Sequence, residues 1–289
     1  MSSTTEEPSC VAPARQRPVI GASDRMLRAI LGFYALSFTL ILALPLGMLI
    51  AKSFSDRSGA FVGLDNYLAY FTTPALFNSI SNSFFVAGVS SVIVTALAFV
   101  FAYALTRTCM PLKPFFKVVA FVPLLSPSVV KAIALIYVFG NQGMLKDLLF
   151  GHSVYGPIGI IMGSVLWTFP HVLVILVAAL SLSDQRLYDS ARALKAGRIR
   201  IFWTVTLPSA RYGVISALIV SFILVITDFG VPKVIGGNYN VLSTDIYKEV
   251  VGQQNFSMGA VVSVLLLMPA VAAFLIDYQM KARQRSAMT

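Results

Sequence analysis

Six apolar runs long enough to cross a bilayer alternate with polar connections along this chain, at 29–50, 79–105, 118–139, 157–181, 211–230 and 257–279. A hydrocarbon core about 30 Å thick is crossed by roughly 20 apolar residues at about 1.5 Å each. In lipid a backbone must satisfy its own hydrogen bonds, so each run is expected to be a helix. The pattern therefore predicts an all-α integral membrane domain over 29–280, with polar tails at 1–28 and 281–289. Pro123 and Pro127 fall inside the third run and should kink or interrupt it.

Composition agrees with the pattern. Hydrophobic residues make up 57% of the 289 and charged residues only 12%, with a mean hydropathy of +0.80, whereas a soluble domain carries about a quarter charged. The net charge of +10 would point to nucleic acid in a soluble protein. Here the cations sit between the apolar runs, so no nucleic acid is expected. Lys52, Arg57, Lys146, Lys233 and Lys248 fall on one side of the alternation and Lys131 within a span; the remaining 16 of the 22 Lys and Arg fall on the other side. The positive-inside rule then places both termini in the cytoplasm, with the stretch 182–210 on the same side. Cys10 and Cys109 are both expected to face inward, and two cysteines are too few for a disulfide framework. The first 28 residues are too long and polar to open a signal peptide, and no small-residue cleavage pattern follows.

The most polar interior stretch is 182–210. Arg192, Lys195, Arg198 and Arg200 crowd into it, Asp189-Ser190-Ala191 stands in helical register, and Thr206-Leu207-Pro208 closes it before the next run. It has room for a helix, a turn and a second helical piece, more than two spans need to be joined. Asp189 at a helix start would suit the positive end of the dipole. Ser190 and Ala191 would allow close approach, and a glycine would turn the chain back. Pro208 would open the fifth span without losing a bond. The bland alternative is a basic loop that merely obeys the positive-inside rule.

This stretch resembles the signature of the permease subunits of binding-protein-dependent ABC importers: Glu-Ala-Ala, three residues, Gly, nine residues, then Ile or similar, one residue and Leu-Pro. Asp189-Ser190-Ala191 stands at the first block and Val205-Thr206-Leu207-Pro208 at the last. The glycine position holds Lys195, and the nearest glycine is Gly197, to which the turn is expected to shift. The resemblance covers about residues 64–280. Tyr155–Gly159, Thr227–Pro232, Asn240–Tyr247 and Gly252–Phe256 look like the branch that serves 2-aminoethylphosphonate, a relative of the iron(III) and polyamine branches. It implies a type I importer permease fold of six helices in the cell inner membrane. It also implies two cytoplasmic ATPase subunits, a second permease copy or sister subunit, and an extracytoplasmic binding protein as partners. The chain itself would be a transporter subunit with no cofactor, metal or catalytic residue. Asp189, Ser190, Ala191, Arg192, Lys195, Gly197, Leu207 and Pro208 would meet the ATPase.

Charges inside spans are costly and often functional. Lys131 and Asp228 are counted at similar depth in the outer half, as a pair at a gate or as two charges that each reach the outer interface alone. His171, after Pro170, either lines the path or packs against a carbonyl freed by the proline. A secondary transporter acting alone would need more intramembrane acids and often two related repeats. A membrane enzyme would need clustered His, Asp or Glu, and only two His exist.

Overall fold

The computed structural model describes residues 22–286, with side chains from 26 to 280. The tail at 1–21 with Cys10, and the side chains of the tail at 281–289, lie outside the described residues. Two units are distinguished, Met1–Met48 and Leu49–Thr289. The first consists of most of helix α1 (Ala22–Ser53), whose composition is apolar on every face.

The second unit holds α2 (Asp65–Thr72), α3 (Pro74–Arg107), α4 (Lys113–Phe121), α5 (Ser128–Phe139), α6 (Pro157–Ser181), α7 (Gln185–Ala193), α8 (Arg198–Ile201), α9 (Leu207–Thr227), α10 (Gly230–Ile235), α11 (Leu242–Tyr247) and α12 (Phe256–Ser286). Helix dominates throughout and no strand forms among the described residues. Five helices are long and apolar enough to cross a membrane. A sixth span results if α4 and α5, bent by 105° at their break, count as one. The break falls between Leu125 and Ser128, where Pro127 takes an extended conformation, ψ 157°, as the prolines of the third run foretold.

The bundle closes through small residues. On α3 the buried positions are Ser79, Ser83, Val86, Ala87, Ser90, Ser91, Val94, Thr95, Ala98 and Ala102, a stripe at the 3.6-residue period. Between lipid-soluble helices there is no hydrophobic gain in association, so close approach of small side chains drives it. Packed against this stripe are α6 and α9, and α12 packs on α9. A Cβ added at Gly213 of α9 would stand 2.2 Å from the Ala179 Cβ of α6, so only glycine permits that crossing. One cluster gathers Val86, Ala132, Ile160, Val225, Val231 and Ile235; a second gathers Val94, Ala98, Val172, Leu176, Ala210 and Ala217.

The segment 231–256 differs from the expected loop. It folds into α10, α11 and a π-type turn at Lys248–Gly252, and Val231, Ile235, Leu242 and Asp245 are buried. The reason is legible in its residues: Val241, Leu242, Ile246 and Val250 recur at helical spacing. Gly237, at φ +56°, makes the turn between the two helices.

Candidate coupling and translocation sites

The basic stretch does form a helix, a turn and a second helical piece, with different bounds from those expected. The helix is α7, and its N-cap is Asp184, whose Oδ1 accepts the Arg186 backbone N–H at 2.9 Å. Asp189 is therefore not the helix start. It lies mid-helix and pairs with Arg192 at 3.5 Å, both well exposed. Such a pair contributes about 0–1 kcal/mol.

The turn is also placed differently. Lys195 itself takes the left-handed conformation, φ 53°, and Gly197 is extended at φ −66°, ψ 158°. Lys195 N–H donates to Arg192 O at 2.8 Å and Ala196 N–H to Ala191 O at 3.0 Å. These two bonds are the Schellman ending of a helix, in which the residue after the C-cap must be left-handed and is usually glycine. The turn has not moved to Gly197, because the helix ends where the signature ends it and Lys195 bears the cost. Gly197 instead caps α8, with nothing within 4 Å of an added Cβ.

One side of α7 is anchored. Tyr188 is buried, and its hydroxyl donates to Thr206 Oγ1 at 3.2 Å. The Arg107 guanidinium lies over the Tyr188 ring, 4.2 Å from its centroid. That guanidinium also donates to Leu180 O at 2.6 Å and Gln185 Oε1 at 3.0 Å. Arg107 thus ties the ends of spans α3 and α6 to the first turns of α7. The opposite side is open. Leu187, Ser190, Ala191 and Leu194 follow at i, i+3, i+4 and i+7; Leu187 is 52% exposed and Leu194 83%. Ile199 (78%) and Trp203 (62%) extend this exposed apolar surface onto the second helical piece.

From Arg198 the chain runs on to Thr227 as one helical span. Pro208 therefore lies within that span rather than opening it. Proline cannot donate to the carbonyl four residues back, and the backbone widens to π geometry over Phe202–Thr206 just before it. Leu207 is half-buried and Pro208 exposed.

Lys131 and Asp228 come near each other without a direct ion pair. The Asp228 carboxylate accepts from Ser128 Oγ at 2.9 Å, from Val231 N at 3.0 Å and from Gly230 N at 3.3 Å. Ser128 is one helical turn before Lys131. The Lys131 ammonium donates instead to Ser126 O, the carbonyl at the break before α5. His171 is half-buried; its Nδ1 stands 3.3 Å from Trp167 O and its ring meets the Trp167 ring edge-on at 5.2 Å. The carbonyl is that of Trp167, one turn before His171, and not Leu166 O, which Pro170 leaves without its helical donor.

Three groups of interest escaped the sequence reading. Arg107 was counted only as a loop charge. Tyr188 was passed over, although on a helical wheel it lies about 100–120° away from Leu187 and Leu194. Asp245 and Glu249, four residues apart between the last two spans, are 2% and 6% exposed. Burial pushes both carboxyls above their ordinary range, and Asp245 raises Glu249 further. A Ser79 hydrogen bond and Lys248 oppose the shift at Asp245, and Arg57 opposes it at Glu249. Tyr70, fully buried, is raised by the same burial and by both acids.

The arrangement is that of a helical membrane domain with a partly exposed helical segment between two of its spans, and comparison with known proteins gives it a family. Residues 110–286 match the family described as binding-protein-dependent transport system inner membrane component, and the chain belongs to that family. It is thus an inner-membrane transport component. Among curated relatives, a putative ferric transport system permease protein of Haemophilus influenzae is 27% identical over 207 residues, 69% of this chain and 33% of that protein. A spermidine/putrescine transport system permease protein of Escherichia coli strain K12 is 28% identical over 270 residues, 91% of this chain and 96% of that protein. The chain spans about a third of the length of the ferric permeases it matches. Among solved structures, a chain of a bacterial ABC transporter involved in the import of the acidic polysaccharide alginate superposes with a TM-score of 0.70 at 17% identity, covering 92% of this chain and 97% of that one. A chain of the MetNI methionine ABC transporter gives 0.58 at 18% identity, covering 75% and 97%. The fold is that of a type I ABC importer permease.

Proposed function

We propose that this chain is the permease subunit of an ATP-driven importer of small solutes. In this reading α7 docks into a cytoplasmic ATPase subunit, and ATP hydrolysis is carried out there rather than on this chain. The observation that carries it is the two-faced α7, pinned inward by Tyr188 and Arg107 and exposing Leu187 and Leu194. A second permease, either another copy or a sister chain, completes the path, and an extracytoplasmic binding protein delivers the substrate. Both termini lie in the cytoplasm, by the cation distribution. Asp189, Ser190, Ala191, Arg192, Lys195, Gly197, Leu207 and Pro208 belong to the coupling stretch. Lys131, Asp228 and His171 stand along or beside the path.

The favoured substrate is 2-aminoethylphosphonate, supported by the resemblance of the strings at 155–159, 227–232, 240–247 and 252–256 to that branch. The ferric and polyamine permeases among the relatives keep iron(III) and polyamines as the second reading. Two measurements test the proposal. Arg192→Glu and Ala191→Trp should abolish uptake and co-purification of the ATPase while leaving the chain in the membrane. Deleting the gene should remove growth on 2-aminoethylphosphonate as phosphorus source. Normal growth there, with a defect in iron or polyamine uptake, transfers the chain to the neighbouring branch. Full ATPase retention in both variants refutes the docking assignment.

A further inference from the structure

At the end of the bundle that carries α7, where α3 and α6 stop, the chain leaves a cavity of about 690 Å3. Its walls are of two kinds. Leu105, Val177 and Leu180 supply an apolar side, and Arg107, Lys113 and Lys117 bring three cations. No acidic residue lines it. The Arg192–Asp189 ion pair lies elsewhere on the chain. Lys113 and Lys117 make no hydrogen bond or ion pair among the described residues. Arg107 spends its terminal nitrogens on Leu180 O and Gln185, and its buried Nε has no partner.

Three like charges around one cavity repel each other unless an anion enters. The position says which kind of anion. Two apolar spans end at the cavity, so it stands at the level of the headgroups. Beside it α4 turns Phe115 (60% exposed) and Val118 (65%) outward, an apolar strip running from the cations toward the membrane interior. Cationic pockets between helices at this level recognise anionic headgroups, and long basic side chains near helix ends reach toward them.

We propose that this cavity binds an anionic phospholipid, its phosphate held by Lys113 and Lys117 in the field of the Arg107 guanidinium and its acyl chains lying along Leu105, Val177 and the outer face of α4. A lipid there would join α3, α4 and the base of α7, and so stiffen the docking helix. The site chemistry is that of a phosphate, which a free anion also offers, and the test separates the two.

The full chain, purified in neutral detergent, is titrated with phosphatidylglycerol, with phosphatidylcholine and with inorganic phosphate, and bound lipid is counted by native mass spectrometry. At about 1 kcal/mol per basic residue, Lys113→Gln with Lys117→Gln should bind phosphatidylglycerol about 30-fold more weakly. Should the double variant fail to fold, Lys117→Gln alone should weaken binding about 5-fold. Lys146→Gln, at the other end of the bundle, should change nothing. Phosphatidylcholine should bind weakly to every form. Equal phosphatidylglycerol affinity in wild type and variants, or equal affinity for the two lipids, overturns the proposal. Inorganic phosphate displacing the bound lipid and raising the melting temperature of the wild type, but not of the double variant, assigns the cavity to a free anion and overturns it too.

Discussion

Removing Arg107 should free the docking helix without unfolding the bundle. Arg107→Met keeps the apolar stem and deletes every donor. The wild-type guanidinium makes a 2.6 Å bond to Leu180 O, a 3.0 Å bond to Gln185 Oε1 and a ring contact at 4.2 Å with Tyr188. A charge-assisted bond contributes about 1.5–3 kcal/mol, and a partly exposed cation–π contact about 0.5–1 kcal/mol. Arg107 is half-buried and its contacts are not additive, so about 3 kcal/mol is a fair sum. That corresponds to amide exchange on the order of 100-fold faster over 182–194. Exchange in α9 and α12 should stay at its wild-type rate, because their packing is untouched. Hydrogen–deuterium exchange with mass spectrometry, on the chain in a bilayer disc, reads this directly. Unchanged exchange over 182–194, or an equal rise across the whole bundle, refutes the role given to Arg107.

Three further outcomes are expected. Lys195→Gly removes a left-handed side-chain residue from a Schellman ending and should stabilise α7 by about 1 kcal/mol, seen as slower exchange over 185–196; faster exchange there contradicts the turn assignment. Asp228→Asn keeps one acceptor oxygen, for Ser128 Oγ and Gly230 N–H, and loses the one that accepts from Val231 N–H, so it should cost less thermal stability than Asp228→Lys, and the exchange of charges with Lys131→Asp should not restore it; recovery in the exchanged chain would show a direct pair. Because the Asp245 and Glu249 carboxyls titrate above their ordinary values, the folded state holds their protons more tightly than the unfolded one. The associated stability is full below the ordinary carboxylate pKa and is lost as pH rises through the shifted values, with Lys248 and Arg57 as the neighbouring charges and Tyr70 as a neighbouring neutral hydroxyl. Melting temperature should fall across that window in the wild type and flatten in Asp245→Asn/Glu249→Gln; a rise contradicts the sign.

Most of the bundle was legible because bilayer thickness sets the length of each apolar run and prolines mark their own breaks. The span positions follow from that, as does the interruption at Pro127. The ends of helices were harder. Asp189 looked like a helix start because acids favour the first turn, but Asp184 three residues after Ser181 was free to cap, and capping chemistry outranks charge. Gly197 looked like the turn because glycine tolerates positive φ at no cost. Lys195 took the turn because the Schellman bonds to Ala191 and Arg192 fix which residue must be left-handed. Which groups Lys131 and Asp228 bond, Ser126 O and Ser128 Oγ, could not be read from their spacing along the chain. Asp245 and Glu249 were hidden in a stretch read as loop, and their spacing of four was the available signal.

The most direct test of the central claim is the strength with which the ATPase subunit holds this chain when Leu194 is changed. Leu194 is 83% exposed, so Leu194→Glu should leave the melting temperature of the chain alone. If α7 docks in a groove, burying that leucine contributes about 1.5–3 kcal/mol, and its loss should weaken binding roughly 10- to 150-fold. The account expects the ATPase that co-purifies with the wild-type chain from its host membrane to be lost from the variant, and uptake with it. Wild-type retention of the ATPase with undiminished uptake would contradict the account.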